Sequence, residues 1–236
     1  MTVGVRTAAV AALEAIPGLV HGFEQRAGPS VLESREEARR RVAQALAPNG
    51  TLHLLAQVHG AAVRSAPWEG RPEGDAALAT RPGLVVGVET ADCLPILLVD
   101  PIGRRAAGVH AGWRGTAAGV AKAAVAALVS AGAGEGDLIA ALGPCIGPCC
   151  YEVGEELRES FGQAGAAFFR EGPRGRPHLD VRAANVRQLL DAGVAEGRIH
   201  HVPDCTSCRP DLYFSFRRDG AGTGRMINYV GWVGRC

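Results

Sequence analysis

Short apolar runs bounded by turn residues alternate with amphipathic stretches along this chain. The runs are too short for helices and rich in branched side chains, so they predict strands. We place these strands at Leu19–Glu24, Thr51–Val58, Ala61–Ser65, Leu84–Val88, Leu94–Val99, Arg104–Val109, Leu138–Leu142, Ile199–Val202, Tyr213–Phe216 and Met226–Trp232.

Four stretches have helical signals. A capping-box pattern at Ser30–Glu33 predicts a helix to about Leu46. Further helices are predicted at Thr116–Ala131, near Glu155–Phe161, and at Val181–Ala192, where Asp180 is the N-cap and Gly193 the stop. Helices and strands follow one another irregularly. This order predicts an α+β fold, with antiparallel or mixed sheets carrying helices outside, in a single domain over residues 1–236.

Composition narrows the class of protein. A chain of 236 residues with 47% hydrophobic and 21% charged residues is long enough for one large core. The net charge of +1 gives no support for a nucleic-acid or membrane-surface partner. We see neither a signal peptide nor an uncharged apolar run long enough to span a bilayer. We therefore expect a soluble cytoplasmic protein, either a monomer or a homodimer.

The stretch from Glu89 to Thr116 predicts a β-hairpin around the turn Asp100–Gly103. Cys93 lies just before its first strand and His110 just after its second, so antiparallel pairing would place them side by side. The segment from Gly112 to Thr116 leads into a helix whose N-terminus would face the same corner. A helix N-terminus favours an anion.

His59, Cys93 and His110 each lie at a predicted strand end beside small residues. One thiolate and two imidazoles suit zinc, and three protein ligands leave an open, catalytic position. Alternatively, Cys93 is a nucleophile with His110 as its base, in a metal-free hydrolase or amidase acting, for instance, on a cell-wall precursor. A third reading is a non-enzymatic module stabilised by zinc. The simplest interpretation is that the three are unrelated polar residues in loops.

Other polar residues are candidates for substrate contacts. Arg114, Arg217 and Arg218 would hold a phosphate or carboxylate. Arg218 would otherwise form a surface ion pair with Asp211 or Asp219. Gln57 would hydrogen-bond a substrate or be an internally satisfied amide.

Most of the seven cysteines lie in two loops. Cys205 and Cys208 form a Cys-x-x-Cys pair, while Cys145, Cys149 and Cys150 lie in a Gly-Pro-rich segment. The spacing leaves a structural zinc or a disulfide open, but buried free thiols are the favoured reading.

Several segments together resemble the YfiH-like family, long labelled multicopper polyphenol oxidoreductase or laccase domain. They are HGFEQRAGPS at 21–30, QVHG at 57–60, TADCLPILL at 90–98, GVHAGWRGT at 108–116, GPCIGPCCYEVG at 143–154 and FSFRRDGAGTGR at 214–225. The resemblance implies a four-layer α/β/β/α fold with mixed sheets, similar to the catalytic domain of the cytotoxic necrotizing factor toxins.

The resemblance also implies a function. Positions matching His59, Cys93 and His110 bind zinc in the family, and those matching Arg114 and Arg217 line the pocket. The implied activities are phosphorolysis of adenosine, inosine and methylthioadenosine, and deamination of adenosine. Phe216 departs from the family, where Tyr or His is frequent.

We therefore expect a zinc-dependent purine nucleoside phosphorylase with adenosine deaminase activity, whose partners are a purine nucleoside and phosphate. The laccase label is disfavoured because multicopper oxidases need paired His-x-His motifs, which this sequence lacks. Copper would occupy the histidine–cysteine site only adventitiously.

Overall fold

The computed structural model describes residues 5–26, 34–47 and 50–234. Its strands are β1 Thr7–Ala8, β2 Leu19–Glu24, β3 Thr51–Leu54, β4 Val63–Ser65, β5 Ala76–Ala79, β6 Leu84–Thr90, β7 Leu94–Asp100, β8 Arg105–Ala111, β9 Ile139–Leu142, β10 Phe169–Glu171, β11 Pro177–Leu179, β12 Ile199–His201 and β13 Met226–Trp232. Its α-helices are α1 Ala11–Glu14, α2 Arg35–Leu46, α3 Trp113–Ala117, α4 Val120–Ser130, α5 Glu156–Phe161, α6 Val181–Asp191 and α7 Phe216–Asp219.

Two large sheets organise the described part of the chain. The first has the strand order β1-β2-β13-β6-β3, and the second has the order β12-β9-β7-β8-β5-β4. Most neighbours are antiparallel, but β3 pairs with β6, β4 with β5 and β12 with β9 in parallel. A separate ribbon joins β10 to β11. The expectation of mixed sheets is confirmed.

Three apolar clusters define four layers. Alternate side chains of strand β7 enter two different clusters. Ile96 and Leu98 pack towards helices α4 and α6, while Leu97 and Val99 pack towards the first sheet. On the far side of that sheet, Val42 and its neighbours in α2 cover a third cluster. The order is therefore helix, sheet, sheet, helix. The likeness to the necrotizing factor toxins and the single domain stay predictions.

Two predicted elements are wrong. The helix expected at Thr116–Ala131 is two helices, because Gly119 adopts a left-handed φ of +81° between α3 and α4. The strand expected at Tyr213–Phe216 is absent. There the Ser215 hydroxyl accepts a hydrogen bond from the Arg218 N–H (3.2 Å) and caps the short helix α7.

The structure tests only part of the prediction for the helix that ends near Leu46. The Ser30–Glu33 capping box lies outside the described residues. A capping box is present at Ser34 and Glu37, directly before α2. None of the helices in the described ranges is long and apolar enough to cross a membrane.

Candidate active site

The predicted hairpin is present and brings Cys93 beside His110. Strands β7 and β8 pair antiparallel from Leu94 opposite Ala111 to Asp100 opposite Arg105. His110 lies within β8, opposite Pro95, rather than after the strand as expected. The third predicted ligand, His59, is not at a strand end. Strand β3 already ends at Leu54, and His59 lies in a loop with a φ of +62°.

Asp75 holds this loop against the hairpin. Its carboxylate, fully buried, accepts hydrogen bonds from the backbone N–H groups of Val58 (3.3 Å), His59 (2.9 Å) and Gly60 (2.7 Å). It also contacts Nδ1 of His110 at 2.8 Å. This carboxylate fixes the His110 ring so that Nε2 is the nitrogen available to the site. The sequence reading missed Asp75 altogether.

The Cys93 sulfur and the His110 ring form an ion pair. Burial opposes both charged forms, but the attraction between thiolate and imidazolium outweighs it. Hydrogen bonds from His110 and His59 to the sulfur, and from His110 to Asp75, act in the same direction. As a result the pKa of Cys93 falls to about 6 and the pKa of His110 rises to about 9. The sulfur is therefore a thiolate at neutral pH, the form that binds metals or attacks an electrophile.

The three predicted ligands fit a metal ion. The donor atoms of His59, Cys93 and His110 all lie within 4.8 Å of one another. A methyl group at Gly112 would lie 3.0 Å from the Cys93 sulfur and 3.1 Å from the His59 ring, so the absence of a side chain there keeps the space clear. A metal-binding histidine usually has a carboxylate against its other ring nitrogen, as His110 has Asp75.

The triad opens into a cavity of about 610 Å³, within the range of small-molecule sites. Its wall is basic and aromatic. The arginines are Arg35, Arg39, Arg71, Arg114, Arg217 and Arg225, and the aromatic rings are Trp113, Tyr151 and Phe216.

The arginines differ in how they are engaged. Arg39 and Arg71 both pair with the carboxylate of Glu89. Within the described ranges, Arg35, Arg114 and Arg225 form no ion pair with a carboxylate. Burial, reinforced by the charge of Arg35, lowers the pKa of Arg225. The positive charge of arginines without a carboxylate partner favours an anionic ligand.

Two of the three predicted arginines reach the cavity. Arg114 is exposed, and its guanidinium lies 4.3 Å from the centre of the Trp113 ring. Arg217 donates from its side chain to the carbonyl of Glu152 (2.8 Å). Arg218 turns away, pairing with Asp219 (2.7 Å) as in the alternative reading.

Gln57 lines the cavity, but its amide is already used. It donates to the Glu89 carbonyl (2.8 Å) and accepts from the Glu89 N–H (2.7 Å). Gln57 thus ties its loop to the end of β6. Its predicted contact with substrate stays a prediction.

Asp92 forms a second buried support that the sequence reading missed. It has a φ of +91°, and its carboxylate accepts from the Thr206 hydroxyl (2.6 Å) and the Arg217 N–H (2.6 Å). Left-handed backbone is costly for a residue with a side chain. The strained residue directly precedes Cys93 and links it to the segments that carry Thr206 and Arg217.

The prediction of buried free thiols is right in part, because all five loop cysteines are free but only one of them is buried. Cys145 is buried, but Cys149 and Cys208 are exposed, and Cys150 and Cys205 are partly exposed. The sulfurs of these last four residues lie within 4.8 Å of one another.

The chain matches a family of known proteins. The family model described as multi-copper polyphenol oxidoreductase laccase matches residues 31–233. The chain belongs to this laccase-type family.

Named relatives of this laccase-type chain include two enzymes of purine metabolism. A purine nucleoside phosphorylase of Streptomyces coelicolor is 43% identical over 75% of this chain and 73% of its own length. An adenosine deaminase from an unknown prokaryotic organism is 43% identical over 67% of this chain and 62% of its own length. The crystal structure of YlmD from Geobacillus stearothermophilus superimposes with a TM-score of 0.83 at 30% identity, covering 97% of this chain and 99% of that one.

Proposed function

We propose that this protein is a zinc-dependent purine nucleoside phosphorylase acting on adenosine, inosine and methylthioadenosine, with adenosine deaminase activity at the same site. The observation that carries the proposal is an open His-Cys-His donor set beside a cavity with uncompensated arginines. The names of the relatives support the reaction class.

Phosphate would bind on the basic wall of the cavity. The charge of Arg35 acts against that of Arg225, and a phosphate dianion would relieve that repulsion. A guanidinium also offers paired N–H donors that match two phosphate oxygens. Arg114 would add a further donor beside the triad. Because α3 has only 5 residues, we assign the phosphate to these arginines, and the predicted anion site at the helix N-terminus stays a prediction.

The nucleoside would lie against the aromatic wall. Phe216 is 51% exposed although apolar, and it lines the cavity with Trp113 and Tyr151. Flat apolar rings at an open cavity provide stacking surfaces for a purine base. Arg217, held by the Glu152 carbonyl, would contact the same ligand.

The protein's main contribution would be positioning. Glycosyl transfer passes through an oxocarbenium-like state, so holding a phosphate oxygen against the C1′ carbon lowers the entropic part of the barrier. His59, Cys93 and His110 would hold zinc, which when bound supplies Lewis-acid stabilisation of negative charge on oxygen. Asp75 would keep the His110 ring in the ligating orientation.

Turnover of inosine with phosphate tests this function directly. We expect hypoxanthine and ribose 1-phosphate from the wild type, and loss of both zinc at this site and turnover in Cys93→Ser. The matched control is Cys145→Ser, which removes a buried thiol that does not line the cavity. Full phosphorolysis by a Cys93→Ala enzyme would refute the assignment. Ammonia release from adenosine, measured on the same variants, tests the deaminase activity.

A metal-free cysteine hydrolase is the second candidate. The Cys93 pKa of about 6 suits a thiolate nucleophile. The contacts from Cys93 through His110 to Asp75 would supply its base and a carboxylate that orients this base. This function predicts activity that chelators do not affect and a covalent adduct on Cys93. Loss of activity on zinc removal, with recovery on zinc return, would exclude it.

A further inference from the structure

A second group of cysteines lies outside the triad. Cys149 and Cys150 end a turn closed by a hydrogen bond from the Cys150 N–H to the Gly147 carbonyl (3.0 Å). Cys205 and Cys208 flank another turn, in which the Cys208 N–H donates to the Cys205 carbonyl (3.2 Å). The two turns are far apart in sequence but adjacent in space.

The backbone holds the two turns side by side. Cys145 and Cys205 form an isolated parallel bridge, with the Thr206 N–H donating to the Cys145 carbonyl at 3.0 Å. Gly147 allows the close approach, since a methyl group there would lie 3.3 Å from the Cys149 sulfur and 3.4 Å from the Cys205 Cβ. The Gly147 N–H also donates to the Cys205 sulfur at 3.2 Å.

The four sulfurs lie close together. The Cys208 sulfur lies 3.7 Å from that of Cys149 and 3.4 Å from that of Cys150, and all four sulfurs are within 4.8 Å of one another. A tetrahedral site with bonds of about 2.3 Å places its sulfurs about 3.8 Å apart. Four thiolates so close repel one another unless a cation lies between them.

We propose that Cys149, Cys150, Cys205 and Cys208 form a second metal site, closed and structural, for a soft divalent cation of the zinc class. Four thiolate ligands select such ions and leave no position for a substrate. On binding, the thiols release their protons to solvent, and no electrons are transferred. This set shares no ligand with His59, Cys93 and His110.

The cation would fix one wall of the cavity. The Cys150 carbonyl accepts from the Arg217 side chain at 3.3 Å. On the other turn, the Thr206 hydroxyl donates to Asp92, the residue before Cys93. Joining the turns through a metal would therefore hold Arg217 and Asp92 in register, without contact between that metal and the substrate.

Metal analysis in a Cys93→Ser background tests this site separately from the triad. Protein purified under reducing conditions should keep about one zinc per chain, since the four-cysteine site is intact. Adding Cys205→Ser or Cys208→Ser should remove it, while adding Cys145→Ser should not. The result does not depend on whether the enzyme is a phosphorylase.

Spectroscopy on the Cys93→Ser protein avoids any change to the cluster, should its variants fold poorly. Cobalt(II) replacement should give the intense visible bands of a tetrahedral thiolate site, and X-ray absorption of the zinc form should show sulfur neighbours alone at about 2.3 Å. Two outcomes would overturn the proposal. One is Cys93→Ser protein without metal and with all four thiols free to react. The other is a disulfide, such as Cys150 to Cys208, found by mass spectrometry of reduced-purified protein.

Discussion

Replacing Asp75 with asparagine would test how the protein positions its triad. Oδ1 of Asp75 accepts from the His59 N–H and contacts His110 Nδ1, while Oδ2 accepts from the N–H groups of Val58 and Gly60. An amide has only one acceptor oxygen. In either orientation of the new side chain, two of these partners therefore face its NH2 group where they had faced an acceptor oxygen.

The expected loss can be worked out from those contacts. A hydrogen bond to a charged group contributes about 1.5–3 kcal/mol, so losing two costs about 3–6 kcal/mol of unfolding free energy. If the NH2 group faces His110, the ring must take the tautomer with its proton on Nε2, which cannot then bind a metal. Changes to such supporting residues typically cost about 10–100-fold in metal affinity. We expect both losses in Asp75→Asn.

Two measurements on the same samples separate stability from site geometry. Thermal unfolding gives the stability loss. Protection of Cys93 by zinc against iodoacetamide, followed by peptide mass spectrometry, gives the affinity of this site alone. We expect the zinc concentration for half protection to rise about 10–100-fold.

Asp100→Asn is the matched control. Asp100 is also buried, and it accepts from the N–H groups of Ile102 (3.1 Å) and Gly103 (2.9 Å) and from Arg105 (2.8 Å) at the opposite end of the same hairpin. The Asp100→Asn protein should lose stability, but zinc should protect its Cys93 as well as in the wild type. If Asp75→Asn behaves in the same way, Asp75 only stabilises the fold and our reasoning about His110 is wrong.

Three further predictions concern the cavity. In zinc-free protein, the rate of Cys93 alkylation should reach half its maximum near pH 6 and stay constant at higher pH, because the thiolate dominates above its pKa. His110→Gln should move this midpoint to higher pH, and an unchanged midpoint would contradict the ion pair. Arg225→Met should raise the KM for phosphate about 10-fold or more, whereas Arg209→Met, which removes a partner of a surface carboxylate, should not. Gly112→Ala should weaken zinc protection of Cys93, because the new methyl group would lie 3.0 Å from the sulfur; unchanged protection would mean that the site has room to spare.

The hairpin was predictable because its signals are local. A buried run, an Asp-Pro-Ile-Gly turn and a second run fix an antiparallel pair, and pairing alone brings Cys93 beside His110. The Asp100 side chain completes the turn by accepting from Ile102 and Gly103. Everything needed for this part of the site lies within one short stretch of sequence.

The support from Asp75 was missed because it depends on strand β5, whose sequence is Ala-Ala-Leu-Ala. Alanine favours helices and is depleted in strands, so nothing local marks these residues as extended. Only the tertiary pairing of β5 with β8 makes them a strand and places Asp75 against His110. The one local signal for this role was the position of Asp75 as an acidic residue directly before a fully apolar run.

The family description as a multicopper oxidase is at odds with the ligands that this chain offers. Two candidate metal groups occur in the described ranges, the His59–Cys93–His110 triad and the four-cysteine cluster. A type 1 copper site adds a weak axial ligand, frequently Met, to two histidines and a cysteine. Met226 does not line the cavity, and its sulfur instead accepts from the Phe214 N–H at 3.2 Å. A trinuclear copper centre would further need paired His-x-His motifs, which the sequence lacks. We therefore infer that any oxidation of phenols by this protein with added copper proceeds through copper in the triad. Zinc should suppress it, and Cys93→Ser should abolish it.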